Sequence, residues 1–593
     1  MTRQIRRRES ATPVDLGAAL HPVLQRVYAA RGVRAAVEVN VGLDRLIPVG
    51  TLEGVDAAAE LLMQHREQGR ILVIGDFDAD GATSTALVVR LLRAWTFACV
   101  DFLVPNRFEF GYGLTPEIVA LAAERSPTLI VTVDNGISST AGVAAARERG
   151  IDVLVTDHHL PGPELPRASV IVNPNAGTGS FGSRALAGVG VAFYVLAALK
   201  RRLDAAGIVP PGAPSPAEHL DLVALGTVAD LVPLDLNNRV LVAQGLKRIR
   251  AGRCAAGIRA LLEIAGRGLT NLTAADLAFG VAPRLNAAGR MRDMTIGIQC
   301  LLEDDPQRAA ELAAELDRLN EERRTIEARM QAEALAAVKR LRGSPEFAGS
   351  AAIAGASNAR PARAFGITLF DESWHQGVVG LVAGRMKEQT GRPVVAFARA
   401  ANGQLRGSAR SVAGLHIRDV LDAVAARHPE LISRFGGHAM AAGLTLEEAN
   451  LERFARAFEE EVARIGGGLA SGEWIETDGE LAVHEISLAT ALALRSGGPW
   501  GQAFPEPCFD GVFTIRNARV VAERHLKMWA EVPRTGRTFD AIAFNLLKET
   551  SAGAGEPAYR IPEGPARLVY RLDVNEYQGE RRLQLLVEHV LPP

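Results

Sequence analysis

The chain has 593 residues, 48% hydrophobic and 23% charged, with 58 Gly and 30 Pro, which excludes a mainly disordered, collagen-like or low-complexity chain. At roughly 100–200 residues per domain it holds three to five domains. Its 66 Lys and Arg against 68 Asp and Glu leave a net charge of -2, so any polyanion partner must be met by locally placed charge.

The opening residues include Arg3, Arg6, Arg7 and Arg8 and are followed by no apolar stretch, so no secretory signal is expected and the arginines read as a disordered tail. Residues 1–45 form an N-terminal extension. From residue 46 to 303 short Val- and Ile-rich runs alternate with amphipathic stretches. Strands are expected at 70–74, 98–104, 128–133 and 152–156, and helices at 81–92, 115–124, 139–149, 185–206 and 217–231. Such alternation implies right-handed crossovers and a parallel sheet, hence an α/β core. The uncharged run 185–199 is too short for a membrane span, which needs about 20 apolar residues.

Within a linker at 304–346, residues 304–342 carry a long helical pattern whose only proline, Pro306, suits a first turn. Such a helix would bridge two domains, with Glu311, Glu315, Asp317, Glu321, Arg323 and Glu327 on its surface turns. Residues 347–470 return to an α/β texture, with a strand at 393–397 and helices at 377–388 and 451–465. Gly-rich 466–472 is a break. Residues 471–593 contain short alternating strands at 512–515, 518–521, 527–532, 539–544, 566–574 and 582–590, the pattern of a small β-barrel or sandwich. Cys99, Cys254, Cys300 and Cys508 are far apart, which supports neither disulfides nor a zinc knuckle and fits a reduced, cytoplasmic setting.

Four acidic or imidazole clusters carry the chemistry. Gly75-Asp76-Phe77-Asp78-Ala79-Asp80-Gly81 follows the first core strand, Asp134-Asn135-Gly136 the third, and Asp157-His158-His159 the fourth; Asp230 closes Gly226–Asp230. The first three sit where ligands bind in open α/β sheets. Crowded carboxylates need cations to offset their repulsion, and oxygen ligands with an imidazole select Mn2+ or Mg2+. Two such ions suit hydrolysis of a phosphate ester.

With Asp157-His158-His159 and the other clusters in this order, the chain resembles the DHH phosphoesterase superfamily, and in particular its members that degrade single-stranded DNA from the 5′ end. The resemblance extends through Pro105-Asn106-Arg107, the segment from Pro283 to Arg290, Trp374 to Gly380, Gly407 to Ser411 and Gly436 to Gly443. It continues through Gly498 to Gly501, Phe504 to Pro507 and Asn575 to Arg581. It implies a DHH core, a long linker helix, a smaller DHHA1 domain and a C-terminal OB-like barrel. It also implies that Asp78, Asp80, Asp134, His158 and Asp230 ligate two divalent cations, Mn2+ or Mg2+, with Asp134 bridging. His159 would act at the scissile phosphate, with Asp134 and Asp80 completing the catalytic set. Where many members carry a histidine this chain has Ile74; either Asp76 ligates in its place or that cation is held more loosely.

The resemblance further assigns DNA or phosphate contacts to Arg107, Arg284, Asn286, Arg290, Ser408, Arg410, Gly437 and His438. Trp374 reads as a cleft residue or a core anchor. In the net-acidic barrel segment, Arg516, Arg519, Arg571, Arg581 and Arg582 are the expected strand-tracking charges. Trp529, Phe539, Phe544, Tyr570 and Tyr577 are either base-stackers or core. The implied partner is single-stranded DNA with a 5′ end, with single-strand-binding protein and a RecQ-type helicase as family associates, no membrane, and a monomeric chain. Two rivals share the core: a short-oligonucleotide or nucleoside bisphosphate phosphoesterase, which would not need the barrel, and a non-catalytic single-strand-binding scaffold, which would have lost metal ligands.

Overall fold

A computed structural model describes every residue except 1–3, 9–14, 107–112, 178, 180, 344–365, 401–402, 467–473, 523, 547–562 and 578–579. Arg107 therefore lies outside the described residues. The first element, β1 (Gln4–Arg7), runs parallel to the distant segment Trp474–Thr477. This corrects the expectation of a disordered tail. Arg7 donates from Nε and Nη2 to Asp510 at 3.1 and 2.8 Å, and Arg8 pairs with Glu476 at 3.1 Å. Burying the Asp510 carboxylate requires such partners, and Arg7 supplies one of them beside Thr477 and Arg567. Helix α1 (Pro22–Ala30) starts on Pro22 and docks on the C-terminal region through Tyr28, whose hydroxyl donates to the Gly497 carbonyl at 2.6 Å.

After α2 (Val55–Gln64) come β2 (Arg70–Gly75), α3 (Ala79–Ala94), β3 (Cys99–Leu103), α4 (Pro116–Ala123), β4 (Leu129–Val133), α5 (Thr140–Glu148), β5 (Asp152–Thr156) and β6 (Val170–Val172). The five strands are parallel in the order β3-β2-β4-β5-β6. Both faces are covered. Ile71 and Val73 enter one hydrophobic cluster, Leu72 and Ile74 the other, so these strands read as continuous apolar runs. Strand order reverses around β2 and β4, which leaves a crevice beyond their carboxyl ends.

Helices complete the core: α6 (Gly188–Ala205), α7 (Leu220–Ala229), α8 (Leu236–Arg250), α9 (Ala256–Ile264), the single turn α10 (Ala274–Asp276), a π-helical turn at Leu277–Val281, α11 (Ala282–Met291) and α12 (Thr295–Leu302). The long α13 (Pro306–Gly343) has 38 residues, about 57 Å of helix. Its Ala309, Leu312, Leu316 and Leu319 pack into the core, whereas Met330, Ala334 and Val338 pack with Trp374 and Val379 of the second lobe. Three of its charged positions are not surface decoration. Asp317 takes Arg284 Nε at 2.8 Å, and the largely buried Arg323–Glu327 pair, 2.8 Å apart, also faces Arg385.

The second lobe contains β7 (Ile367–Phe370), α14 (Val379–Thr390), β8 (Val394–Arg399), β9 (Leu405–Arg410), α15 (Ile417–Arg427), β10 (Arg434–Gly437), β11 (Ala441–Leu446) and α16 (Leu451–Gly466). Its sheet order is β10-β11-β9-β8-β7, parallel only between β7 and β8. Trp374 is a buried anchor: its indole N–H donates to Glu333 of α13 at 2.9 Å.

The C-terminal region holds β12 (Trp474–Thr477), α17 (Leu488–Ser496), β13 (Phe509–Val521), β14 (His525–Glu531), β15 (Thr538–Ala543), β16 (Gly564–Tyr577) and β17 (Glu580–Leu591). The last five close a barrel in the order β13-β14-β15-β17-β16. The two strands expected at 512–515 and 518–521 are one, with its register shifted between Arg516 and Arg519. Phe539 and Tyr570 fill the interior; Trp529 and Phe544 stand about half exposed. Of the arginines expected to track a strand, Arg516 pairs with Glu531, Arg571 with Glu506 and Glu588, Arg581 with Glu576 and Arg582 with Glu580. Only Arg519 has no ion pair among the described residues. No described helix is long and apolar enough to cross a membrane.

Candidate metal centre and active site

The loop after β2 turns straight into α3, and each of its carboxylates has its own surroundings. Asp78 caps the helix, its Oδ1 accepting from the backbone of Asp80 and Gly81 at 3.0 and 3.1 Å. Ala79 N–H donates to Asn286 Oδ1 at 2.8 Å, tying the loop to α11. Asp80 is buried and accepts from Gly188 and Val189 at 2.6 and 2.9 Å, at the N-terminus of α6, where a negative charge is favoured. Asp134, also buried, takes the left-handed conformation (φ 61°) immediately after β4, a strained state of the kind found at functional sites. His158 and His159 follow β5, and Asp230 caps the carboxyl end of α7.

These groups converge. Ligand atoms of Asp76, Asp78 and Asp134 lie within 4.8 Å of one another, as do those of Asp80, His158 and Asp230, and those of Asp134, His158 and His159. His158 Nε2 is 3.1 Å from Asp134 Oδ1 and 3.4 Å from Asp230 Oδ2. Asp134 thus belongs to two of the triads and touches the third. Glycines leave room here: a Cβ on Gly188 would come 2.6 Å from the Asp134 Cβ, and one on Gly226 2.8 Å from Asp80 Oδ1.

Electrostatics agree with a cation site. Burial, then the charge of Asp78, pushes Asp80 up to about 7. Burial and the neighbouring aspartates also hold Asp134 and Asp230 well above the ordinary carboxylate range. Burial, then the charge of His159, lowers His158 to about 4, so its ring is neutral and its Nε2 is available as a donor atom to a cation. A hard divalent ion relieves the repulsion of such oxygens and accepts an imidazole; the residues present fit Mn2+ or Mg2+.

His159 differs from its neighbour. Its Nδ1 is 2.7 Å from Asp157 Oδ1. Burial alone would lower its pKa, but the Asp157 hydrogen bond and charge, with Asp230 and Asp76, carry it up to about 9. Asp157 is itself fixed by the backbone of Ile137, at 2.9 Å to Oδ2; burial alone would raise its pKa, but the hydrogen bond and charge of His159 together with the backbone donors of Ile137 and His159 lower it. Asn173 and Asn175 donate to the carbonyls of His159 and His158 at 2.9 and 2.7 Å. Sequence reasoning quoted Asp157 without assigning it a role and passed over both asparagines; an Asp two residues ahead of a histidine at a strand end was the available signal.

The second lobe faces this centre. His438 stacks on His159, with ring centroids 6.0 Å apart and 17° between planes. Gly437 beside it has φ 146° and no space for a Cβ, which would lie 2.4 Å from the Ala442 Cα. Arg410 donates to Ser408 Oγ at 2.8 Å on β9, next to β11 in the sheet. Arg290 reaches the Gly377 carbonyl at 3.4 Å, across the lobes. Two expected phosphate ligands are otherwise engaged. Arg284 is buried and bound to Asp317 and the Gly280 carbonyl, and Asn286 holds Ala79. Ile74, where the superfamily resemblance set the expectation of a histidine, is in the sheet core, whereas Asp76 joins Asp78 and Asp134.

Residues 70–227 match the DHH family N-terminal domain, 363–464 the DHHA1 domain and 477–589 the RecJ OB domain. The chain is 50% identical to the single-stranded-DNA-specific exonuclease RecJ of Salmonella typhimurium over 598 residues, covering 100% of this chain and 99% of that one. It is 48% identical to the Escherichia coli RecJ, covering 99% of each. The structure superimposes on Thermus thermophilus RecJ in complex with Mn2+ with a TM-score of 0.79 at 30% identity, covering 100% of this chain and 80% of that one. The chain belongs to the family of single-stranded-DNA-specific exonucleases named RecJ.

Proposed function

We propose that this chain is a divalent-metal-dependent exonuclease that hydrolyses single-stranded DNA from its 5′ end, in DNA repair and recombination. The observation that carries the reading is the convergence of Asp76, Asp78, Asp80, Asp134, His158 and Asp230 in triads, linked through Asp134 and His158, whose ligand atoms lie within 4.8 Å of one another. Asp76, Asp78 and Asp134 would hold one cation and Asp80, His158 and Asp230 the other, with Asp134 shared. Asp76 takes the role that Ile74 cannot. Bound there, Mn2+ or Mg2+ supplies an activated water and neutralises charge on the phosphate.

The chain's own residues do the rest. His159, held by Asp157, presents Nε2 as a proton donor towards the phosphate and the departing 3′-oxygen. His438, Ser408, Arg410 and the backbone at Gly437 approach from the second lobe, a charged and hydrogen-bonding wall for the phosphate oxygens. Arg107 and Arg290 are assigned to the strand's phosphates. In this reading residues 46–303 are the DHH core, 304–346 the linker helix, 347–470 the DHHA1 domain and 471–593 the OB domain, with 1–45 as an extension. The cleft between core and second lobe accepts one strand. Single-strand-binding protein and a RecQ-type helicase are the proposed partners of a cytoplasmic monomer.

The test is a single-stranded oligonucleotide labelled at one end or the other and digested with Mn2+ present. A 5′ label should be released as mononucleotide before the 3′ end shortens; early release of a 3′ label would overturn the polarity.

A further inference from the structure

A second feature lies at the opposite end of α3 and α7 from the metal centre. A cavity of about 900 Å3 opens between the ends of α3 and α8 and the starts of α7, α9 and α13, lined by Arg90, Arg93, Arg248, Arg253 and Arg259 among others. Asp80 and Arg93 stand 13 residues apart on α3, about 20 Å along the helix. None of the candidate metal ligands lines the cavity.

Its charges are unevenly matched. Arg90 pairs with Asp304 at 2.8 Å. None of the other carboxylates on the wall is in an ion pair with these arginines among the described residues: Glu218 accepts from Ser215 N–H at 2.8 Å and Asp221 from Ala255 N–H at 2.7 Å, both within the field of Arg248, and Glu263 is in no ion pair among the described residues. Arg93, Arg248, Arg253 and Arg259 have no carboxylate within ion-pair distance among the described residues. Arg93 donates to the Val100 carbonyl, and Arg259 to the Gly252 carbonyl and towards the Cys254 thiol, neither of them a carboxylate. Arg248 Nε is shut away from solvent with no hydrogen-bond partner. Elsewhere on this surface arginines are commonly matched by a carboxylate, as Arg202 is by Glu60 and Arg318 by Glu315. The N-terminus of α9, which has no side-chain cap, opens on the same space through Ala255 and Ala256. It adds partial positive charge.

We propose that this cavity is a second phosphate site, separate from the metal centre, that takes a phosphate-bearing anion of up to mononucleotide size through Arg93, Arg248, Arg253 and Arg259. Guanidinium forks match phosphate oxygens in pairs, and the volume suits a small-molecule ligand. The two sources of this chemistry are inorganic phosphate and a nucleoside 5′-monophosphate. The second is what the proposed nuclease would release, and to that extent alone the inference rests on that reading. The binding experiment does not.

The full chain, in low salt with cations chelated by EDTA, is titrated calorimetrically with dTMP, inorganic phosphate and thymidine. Chelation leaves the metal centre a ring of carboxylates that repels phosphate. Saturable binding of dTMP, with none of thymidine, is expected. Arg248→Gln with Arg259→Gln should weaken it about tenfold or more, while Mn2+-dependent digestion of single strands stays within about twofold. Phosphate binding as tightly as dTMP supports an inorganic ligand; dTMP binding more than about tenfold tighter supports the nucleotide. If the double variant loses its cooperative thermal unfolding, the exposed Arg253→Gln is used instead. No saturable binding up to about 10 mM, affinity unchanged in the variants, or binding lost in His438→Ala rather than in the arginine variants would overturn the proposal.

Discussion

The rings of His159 and His438 stack at 6.0 Å although they come from different lobes, one at the end of β5 and the other after β10. That contact joins the metal centre to the second sheet. His438 is lowered in pKa by partial desolvation at the contact between lobes and then by the charge of His159, so the two rings do not both carry full charge at neutral pH. His438→Ala should therefore lower kcat/KM on single strands by about 10–1000-fold, the range for losing one positioned donor. The melting temperature and Mn2+ affinity should stay near wild type, since the side chain is exposed and is no candidate ligand.

Asp157→Asn leaves the shape of the His159 pocket and removes the charge that raises its pKa to about 9. A group raised in the native state keeps its proton until pH rises through that value; without Asp157, His159 loses it at lower pH. The alkaline limb of the rate profile should move down in pH, and activity at pH 8 should fall more than at pH 6. An equal loss at both pH values would contradict a role for Asp157 in holding the proton.

Asp80, Asp134 and Asp230 all have native pKa values above those of an unfolded chain. Their contribution to stability is present in full below about pH 4 and is lost as pH rises through the native values, about 7 for Asp80. Above that range the metal-free protein carries the full cost of buried like charges, and a divalent cation removes it. Mn2+ should raise the thermal midpoint more at pH 8 than at pH 5.5, as read by differential scanning calorimetry.

Much of this was legible in the sequence and some was not. The strands ending at Ile74, Val133 and Thr156 announce themselves because a sheet covered on both faces demands unbroken apolar runs, and the carboxylates after them stand out against that background. Helices α8, α9, α11 and α12 were not singled out: α8 buries side chains around most of its circumference, which blurs the period of 3.6, whereas α9 carries a clear apolar face on Ile258, Leu261 and Leu262 that the reading passed over. Arg284 and Asp317, 33 residues apart, look like surface charges in sequence and become a tie only when α13 crosses α11. The strand β1 is invisible locally: four residues with two arginines become ordered only because Asp510, buried in the distant barrel, needs them.

That last contact is testable. Asp510 also accepts from Thr477 and Arg567, both at 2.7 Å. Burial alone would raise its pKa, but the Arg7 hydrogen bond, with Thr477 and Arg567, lowers it. Arg7→Ala should cost about 1–3 kcal/mol in urea unfolding at pH 7, because it strips one partner from a buried carboxylate. The loss should shrink once pH falls below the ordinary carboxylate range and through the lowered pKa of Asp510. A cost within about 0.5 kcal/mol, the size expected of an ordinary surface substitution, would mean that the N-terminal strand is not held in this way.

The central claim is that the carboxylate and imidazole ligands around Asp134 form the hydrolytic centre of a single-strand exonuclease. The most direct measurement is the Mn2+-dependent release of mononucleotides from poly-dT by Asp134→Asn beside the wild type, with the fold checked by circular dichroism. The account predicts release by the wild type, none with EDTA, and a loss of at least about 1000-fold in the variant at every Mn2+ concentration. A folded Asp134→Asn protein digesting at near wild-type rate would contradict it.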